Sequence, residues 1–200
     1  MYSTSDYIVH EDFDNATQRN DIGLVRLNSK LVFDDNTKPI ALAEDGFDNS
    51  ALRSNIALVR LNESLTFNDK VQAIALSDEE LGAGVEVTVS GWGHTSDDDN
   101  SDMYDVLRYV KVNTIDNSRC QEVYGNDVIL PEMVCTDNGV PAKGPCSGDG
   151  GDPVVVDVDG NPVLVAIFSF VSNLGCESAL PAGYTRTAYY KDWIKEISGI

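Results

Sequence analysis

Pro145-Cys146-Ser147-Gly148-Asp149-Gly150-Gly151-Asp152-Pro153 is the stretch on which the reading of this chain turns. Three glycines and two aspartates stand between a cysteine and a proline. Glycine has no side chain, so Gly150 brings no functional group to this loop. Downstream, residues 153–157 and 162–171 are rich in β-formers and flank Asp159-Gly160, a strong hairpin signal. Upstream, Val85-Glu86-Val87-Thr88-Val89-Ser90 alternates apolar and polar, the period of a half-buried strand, and enters Gly91-Trp92-Gly93. Residues 107–112 read as another strand. Residues 117–124 suit a short helix with a polar residue available as N-cap, and residues 131–135 return to strand. Near the C-terminus, residues 188–197 carry apolar side chains at helical spacing.

The chain has 200 residues, 42 % of them hydrophobic, enough to bury a core. No run approaches the roughly 20 apolar residues that a membrane helix needs. Met1-Tyr2-Ser3-Thr4-Ser5-Asp6 lacks the charged and apolar regions of a signal peptide. The formal net charge of −19 repels phosphate backbones and anionic lipid, which argues against nucleic acid and membrane as partners. Solubility explains this charge more simply than a cationic partner does.

The four cysteines, Cys120, Cys135, Cys146 and Cys176, lie in the second half. None forms a Cys-x-x-Cys pair of the kind zinc sites use. Four cysteines allow three pairings, and an even count in a strand-rich chain fits disulfides and an oxidising compartment. Asp97-Asp98-Asp99-Asn100-Ser101-Asp102 invites a calcium-loop reading. The glycine and glutamate such a loop needs at its sixth and twelfth positions are Asp102 and Arg108 instead, so the run reads as a solvated acidic loop. No metal or cofactor is expected.

A block is written twice. Asn20-Asp21-Ile22-Gly23-Leu24-Val25-Arg26-Leu27 returns as Ser54-Asn55-Ile56-Ala57-Leu58-Val59-Arg60-Leu61. The match extends over residues 8–42 and 43–76. Two copies are too few for a solenoid, so this is one element duplicated.

The opening stretch resembles the nucleophile signature of the chymotrypsin-like serine proteases (trypsin-like, peptidase S1 type), Cys-any-Gly-Asp-Ser-Gly-Gly-Pro. Cys146, Gly148, Asp149, Gly151 and Pro153 match it, Gly150 replaces the nucleophile and Asp152 replaces a glycine. Gly91-Trp92-Gly93, Gly175-Cys176, Pro181-Ala182-Gly183-Tyr184 and the C-terminal helix resemble the family in the same order. The implied fold is all-β: two antiparallel Greek-key β-barrels, the first incomplete, and a C-terminal α-helix. Residues 1–200 would form a single peptidase-like domain, with the second barrel over 83–187 and the helix over 188–198.

The resemblance also assigns roles. Both repeat copies resemble the family's Asn-Asp-Ile-Ala-Leu segment, whose aspartate orients the catalytic histidine. The first copy keeps it as Asp21 and the second has Asn55. An amide there can favour the wrong tautomer, a loss of about 10⁴ in turnover. The contiguous second copy is the better candidate for the native strand. The family's Thr-Ala-Ala-His-Cys motif has no counterpart here, and neither His10 nor His94 sits in the base's context. The Ile-Val-Gly-Gly start, whose amine would pair with Asp149, is also missing. Asp149 must then hydrogen-bond locally, stay wet or take up a proton, in a zymogen-like pocket. Gly148 and Gly150 are the oxyanion-hole-like amides. Gly144 and Pro145 form the pocket base, Val171 and Ala182 its walls, and Ser169, Phe170 and Val171 the edge that would pair with a peptide. Cys120 would pair with Cys135 and Cys146 with Cys176.

These features imply an inactive, monomeric, extracellular protease homologue whose partner is a peptide or protein ligand. The rival readings are a serine endopeptidase whose complete chain is longer, and a poorly folding, nonfunctional fragment.

Overall fold

The computed structural model describes strands β1 (Thr4–Val9) and β2 (Gly23–Leu27), then residues 55–58, 66–98 and 106–199. They fall into two compact units, Met1–Arg53 with Val59–Thr66, and Ser54–Leu58 with Phe67–Ile200. In the first unit β1 and β2 pair antiparallel, with Ile8 opposite Leu24. Asp21 and His10 lie outside the described residues.

The second unit contains β3 (Ala75–Leu76), β4 (Glu86–Gly91), β5 (Arg108–Ile115), β6 (Met133–Asp137), β7 (Pro153–Val158), β8 (Asn161–Phe170) and β9 (Ala182–Arg186). Its sheet runs β3-β8-β7-β4-β5-β6-β9, and an additional β8–β9 pairing closes β4 to β9 into a ring. The closure is uneven. The β7–β8 hairpin pairs along nearly its whole length, whereas β4 meets β7 only at Thr88↔Val155 and Val89↔Val154. Asp159 (φ 53°) and Gly160 (φ 83°) make the hairpin's two-residue turn, and two positive φ angles match the twist of the flanking strands. The Asp157 carboxylate accepts the Gly160 N–H at 2.8 Å.

Alternation on β4 turns Val87 and Val89 inward, where they join Val112, Val134, Val154, Val165, Phe168 and Tyr184. Burying each valine stabilises the fold by about 1.5–3 kcal/mol. Tyr184 is fully buried, and its hydroxyl pairs with Thr136 Oγ1 at 2.8 Å. Burial pushes this phenol well above its ordinary pKa and keeps it neutral. Arg186, also buried, donates to the carbonyls of Leu81 and Met133.

Three local expectations change. β5 runs to Ile115, three residues beyond the expected strand end, because its second half pairs with β6 from Asn113 onward. Helix α1 spans Asn117–Tyr124, but Asp116 before it makes no side-chain cap. Asn117 instead donates to the carbonyls of Leu130 and Met133, tying the helix start to the chain entering β6. The C-terminal helix α2 spans Lys191–Ser198, and Thr187–Tyr190 before it is a 3-10 turn. Thr187 is buried and donates to the Leu164 carbonyl, which holds this turn on β8. Among the described residues no helix is long and apolar enough to cross a membrane.

Two disulfides are formed, Cys120–Cys135 and Cys146–Cys176. The first closes a separation of 15 residues between α1 and β6. Replacing both cysteines, Cys120→Ala with Cys135→Ala, should cost about 3 kcal/mol in denaturant unfolding by the chain-entropy relation. No loss would mean that other contacts already hold α1 on β6. A second expectation concerns the buried hydroxyl pair. Thr136→Val strands the Tyr184 hydroxyl and should cost about 1–3 kcal/mol, and adding Tyr184→Phe should recover part of it. If the double variant is no more stable than Thr136→Val, the Tyr184 hydroxyl is satisfied elsewhere.

Candidate functional site

The loop from Cys146 to Asp152 is built around one carboxylate. Asp149 Oδ1 accepts the Gly93 N–H at 2.7 Å, and Oδ2 accepts the Cys146 N–H at 2.9 Å. The first ties the loop to the chain leaving β4, and the second closes the loop on itself. The Ser147 carbonyl adds a third tie by accepting the His94 N–H at 2.8 Å. Glycine is required at Gly91 and Gly93 because a Cβ there would overlap the carboxylates of Asp149 and Asp152 at Gly91, and Asp149 with the Ser147 carbonyl at Gly93.

Asp152 enters the same space. Its N–H donates to the Asp149 carbonyl, and its own carbonyl accepts the Phe168 N–H. Its Oδ2 is buried and has no hydrogen-bond partner in the structure. Burial, and then the Asp149 carboxylate beside it, raise the Asp152 carboxyl to about 7.

Gly150 is exposed, and open space surrounds the direction a Cβ would take. The amides of Gly148 and Gly150 donate no hydrogen bond to a described residue. Ser147 is exposed. Gly144 packs against the buried Asn138 side chain, and Pro145 is buried.

Asn55, in the second repeat copy, donates from Nδ2 to Ser169 Oγ at 2.9 Å. Its carbonyl accepts from Thr185 Oγ1 at 2.9 Å, which fixes the segment on β9. The equivalent residues of the first copy, Gly23–Leu27, are instead β2 of the other unit. One written pattern therefore has two environments. Beside Ser169, the Phe170 ring stacks edge-on against Tyr124 at 5.2 Å and covers Gly183, where a Cβ would overlap it. Tyr124 donates to the Pro181 carbonyl, which pins α1 to the strand carrying Ala182. Burial pushes the Tyr124 phenol up.

Sequence reasoning missed a reciprocal clasp at the rim. Asp97 accepts the N–H groups of Cys176 and Glu177, while Glu177 accepts from Ser96 Oγ and the Asp97 N–H. Asp97 was read as part of a solvated loop; instead it anchors the turn that carries Cys176. Residues 99–102 of that loop lie outside the described residues. Asp97 also lies against both Cys146 and Cys176, but these sulfurs are joined in a disulfide and offer no thiolate to a cation. A cavity of about 380 Å³ elsewhere, between α1 and the end of β6, is lined by Asp116, Arg119, Asp137 and Lys143 and includes no residue of this loop.

Comparison with known proteins places this geometry. The trypsin family model matches residues 1–52 and again 43–194, so the two matches overlap in the duplicated block. Trypsin-1 of Astacus astacus is 38 % identical over 196 residues, covering 96 % of this chain and 66 % of its own length. The collagenase of Hypoderma lineatum is 37 % identical over 96 % of this chain and 59 % of its own. Brachyurin of Leptuca pugilator is 33 % identical over 98 % and 69 %. The chain thus spans about two thirds or less of the length of the first two relatives. The solved structure of HL collagenase superposes with a TM-score of 0.58 at 27 % identity, over the whole of this chain and 70 % of that one. By family model, relatives and fold, this chain belongs to the trypsin family of serine proteases.

Proposed function

We propose that this chain is a non-catalytic member of its family that binds peptide or protein segments without cutting them. The observation that carries the reading is Gly150, exposed on its loop with no side chain where the family's signature has a serine. Asn55 adds to it: the residue in contact with Ser169 is a neutral amide, not a carboxylate. His94 meets Ser147, the serine nearest in sequence to Gly150, through its backbone N–H on the Ser147 carbonyl. In a comparable triad, loss of nucleophile or base alone costs about 10⁶ in turnover. The free amides of Gly148 and Gly150 can still receive a carbonyl oxygen, and residues 169–171 supply an edge for an extended peptide. By resemblance to the family, Gly144 and Pro145 would be the base and Val171 and Ala182 the walls of a pocket for a small apolar side chain, with Ala182 itself fully buried in the core. The two disulfides fit an oxidising, extracellular setting.

A second reading has its own support. The chain spans 66 % and 59 % of the first two relatives, so a longer chain could supply a histidine and an active serine endopeptidase. A fluorophosphonate probe separates the two. The binding reading expects no covalent adduct at neutral pH, and a stoichiometric adduct would establish a working nucleophile.

The missing base makes a further test. Gly150→Ser alone should not hydrolyse peptide substrates, because a serine needs a base to take its proton and neither His10 nor His94 stands in the sequence context of the family's base. Measurable turnover by that variant would refute the claim that the base is absent. Binding itself is read by isothermal titration with short peptides carrying alanine or valine at the pocket position. The expected result is saturable binding that is lost on Val171→Arg; no binding to either protein would leave the surface a packing face and end the proposal.

A further inference from the structure

Asp149 and Asp152 bring two carboxylates together beside Gly91. The hydrogen-bond capacity of Asp149 is partly taken by Gly93 and Cys146. Asp152 Oδ2 is buried and accepts nothing. Both carboxylates crowd the position that a Cβ on Gly91 would occupy, so they lie within a few ångströms of each other. Neither can swing far. The Asp152 backbone is held on both sides, by the Asp149 carbonyl and by the Phe168 N–H. Two ionised carboxylates so placed repel, and a buried charge without a donor is costly. One proton resolves both problems, because a protonated Asp152 can donate to Asp149.

We propose that a proton held between Asp149 and Asp152 clamps the loop of residues 146–152 against the end of β4, and that its loss loosens this rim. The clamp is a switch built from two side chains. It acts on the loop that carries the free amides of Gly148 and Gly150 and, through the Cys146–Cys176 disulfide, on the rim at Cys176. It does not depend on whether the chain binds peptide.

Charged and titratable groups stand around the pair among the described residues. His94 follows Gly93 on the chain leaving β4. Arg108 stands opposite Gly91 in β5. Tyr184 lies in β9, and its phenol is raised in part by Asp149. The neighbouring residues of β8, Ile167, Phe168 and Ser169, carry no charge. Of these groups, Asp149 is the one that acts on Asp152, second to burial. The carboxyl moves from 3.8 to about 7. A carboxyl raised in the folded state binds a proton there that the unfolded chain has released. Its contribution to stability is therefore full below the ordinary carboxylate range, declines as pH rises, and is gone above about 7.

The test is a carbon-13 carboxyl NMR titration of the intact, disulfide-bonded chain. Asp152 Cγ should titrate with a midpoint near 7, and the Gly93 and Cys146 amide protons should shift with the same midpoint. In Asp152→Asn the amide donates permanently to Asp149, so both inflections should vanish. His94 directly follows Gly93, and His94→Gln should leave the Cys146 inflection in place. Three results would overturn the proposal: an Asp152 midpoint below about 5, an Asp152 titration that leaves both amides unmoved, or loss of the Cys146 inflection in His94→Gln. Should Asp152→Asn fail to fold, the wild-type titration with the His94→Gln control decides alone.

Discussion

Two backbone amides, those of Gly93 and Cys146, converge on the carboxylate of Asp149. Everything in the loop after β6 is arranged to permit that convergence. Gly91 and Gly93 lack side chains because the carboxylates occupy that space. The Ser147 carbonyl turns toward His94 because the loop folds back at Asp149. The Gly148 and Gly150 amides in this bend donate no hydrogen bond to a described residue. A single acceptor thus sets the shape of the rim, and charge-assisted bonds are strong enough to do so.

The cost appears one residue pair away. Asp152 stands in a place suited to glycine, with an oxygen buried against β4 and no donor to meet it. Natural folds rarely keep an orphaned buried oxygen, since desolvation of such a group costs about 1–3 kcal/mol or more. Asp149 already accepts two backbone N–H groups, so the less satisfied partner, Asp152, carries the proton. The duplicated block shows a related division. Identical patterning gives a strand of a two-stranded sheet in one copy and an irregular segment on β9 in the other. Local propensity does not distinguish the two environments; the partners available to each copy do.

Much of the β-framework was legible. Valine alternation announced β4, Asp159-Gly160 announced the β7–β8 hairpin, and residues 117–124 announced α1 at its observed bounds. These signals are local: periodicity and turn chemistry belong to a few consecutive residues. The α1 start was misread in detail because Asn117 bonds to carbonyls 13 and 16 residues away instead of capping its own helix. The Asp97–Glu177 clasp was invisible for the same reason, its partners being about 80 residues apart. Of the candidate site, Gly150 and the loop glycines were readable as residues. Their exposure, and which amides remain free, were not.

The sequence by itself determined the chemistry on offer: no side chain at Gly150, an amide at Asn55, an extra carboxylate at Asp152 and an even set of cysteines. It also determined the family, through motifs whose order survives the duplication. Only the tertiary structure decided which of these groups meet. Asn55 finds Ser169 across 114 residues, and Asp152 comes to stand beside Asp149 at the end of β4. The physical reason is that residue identity fixes what a group can donate, accept or release. Burial and distance, which alone set the electrostatic cost, exist only after the strands have closed their ring.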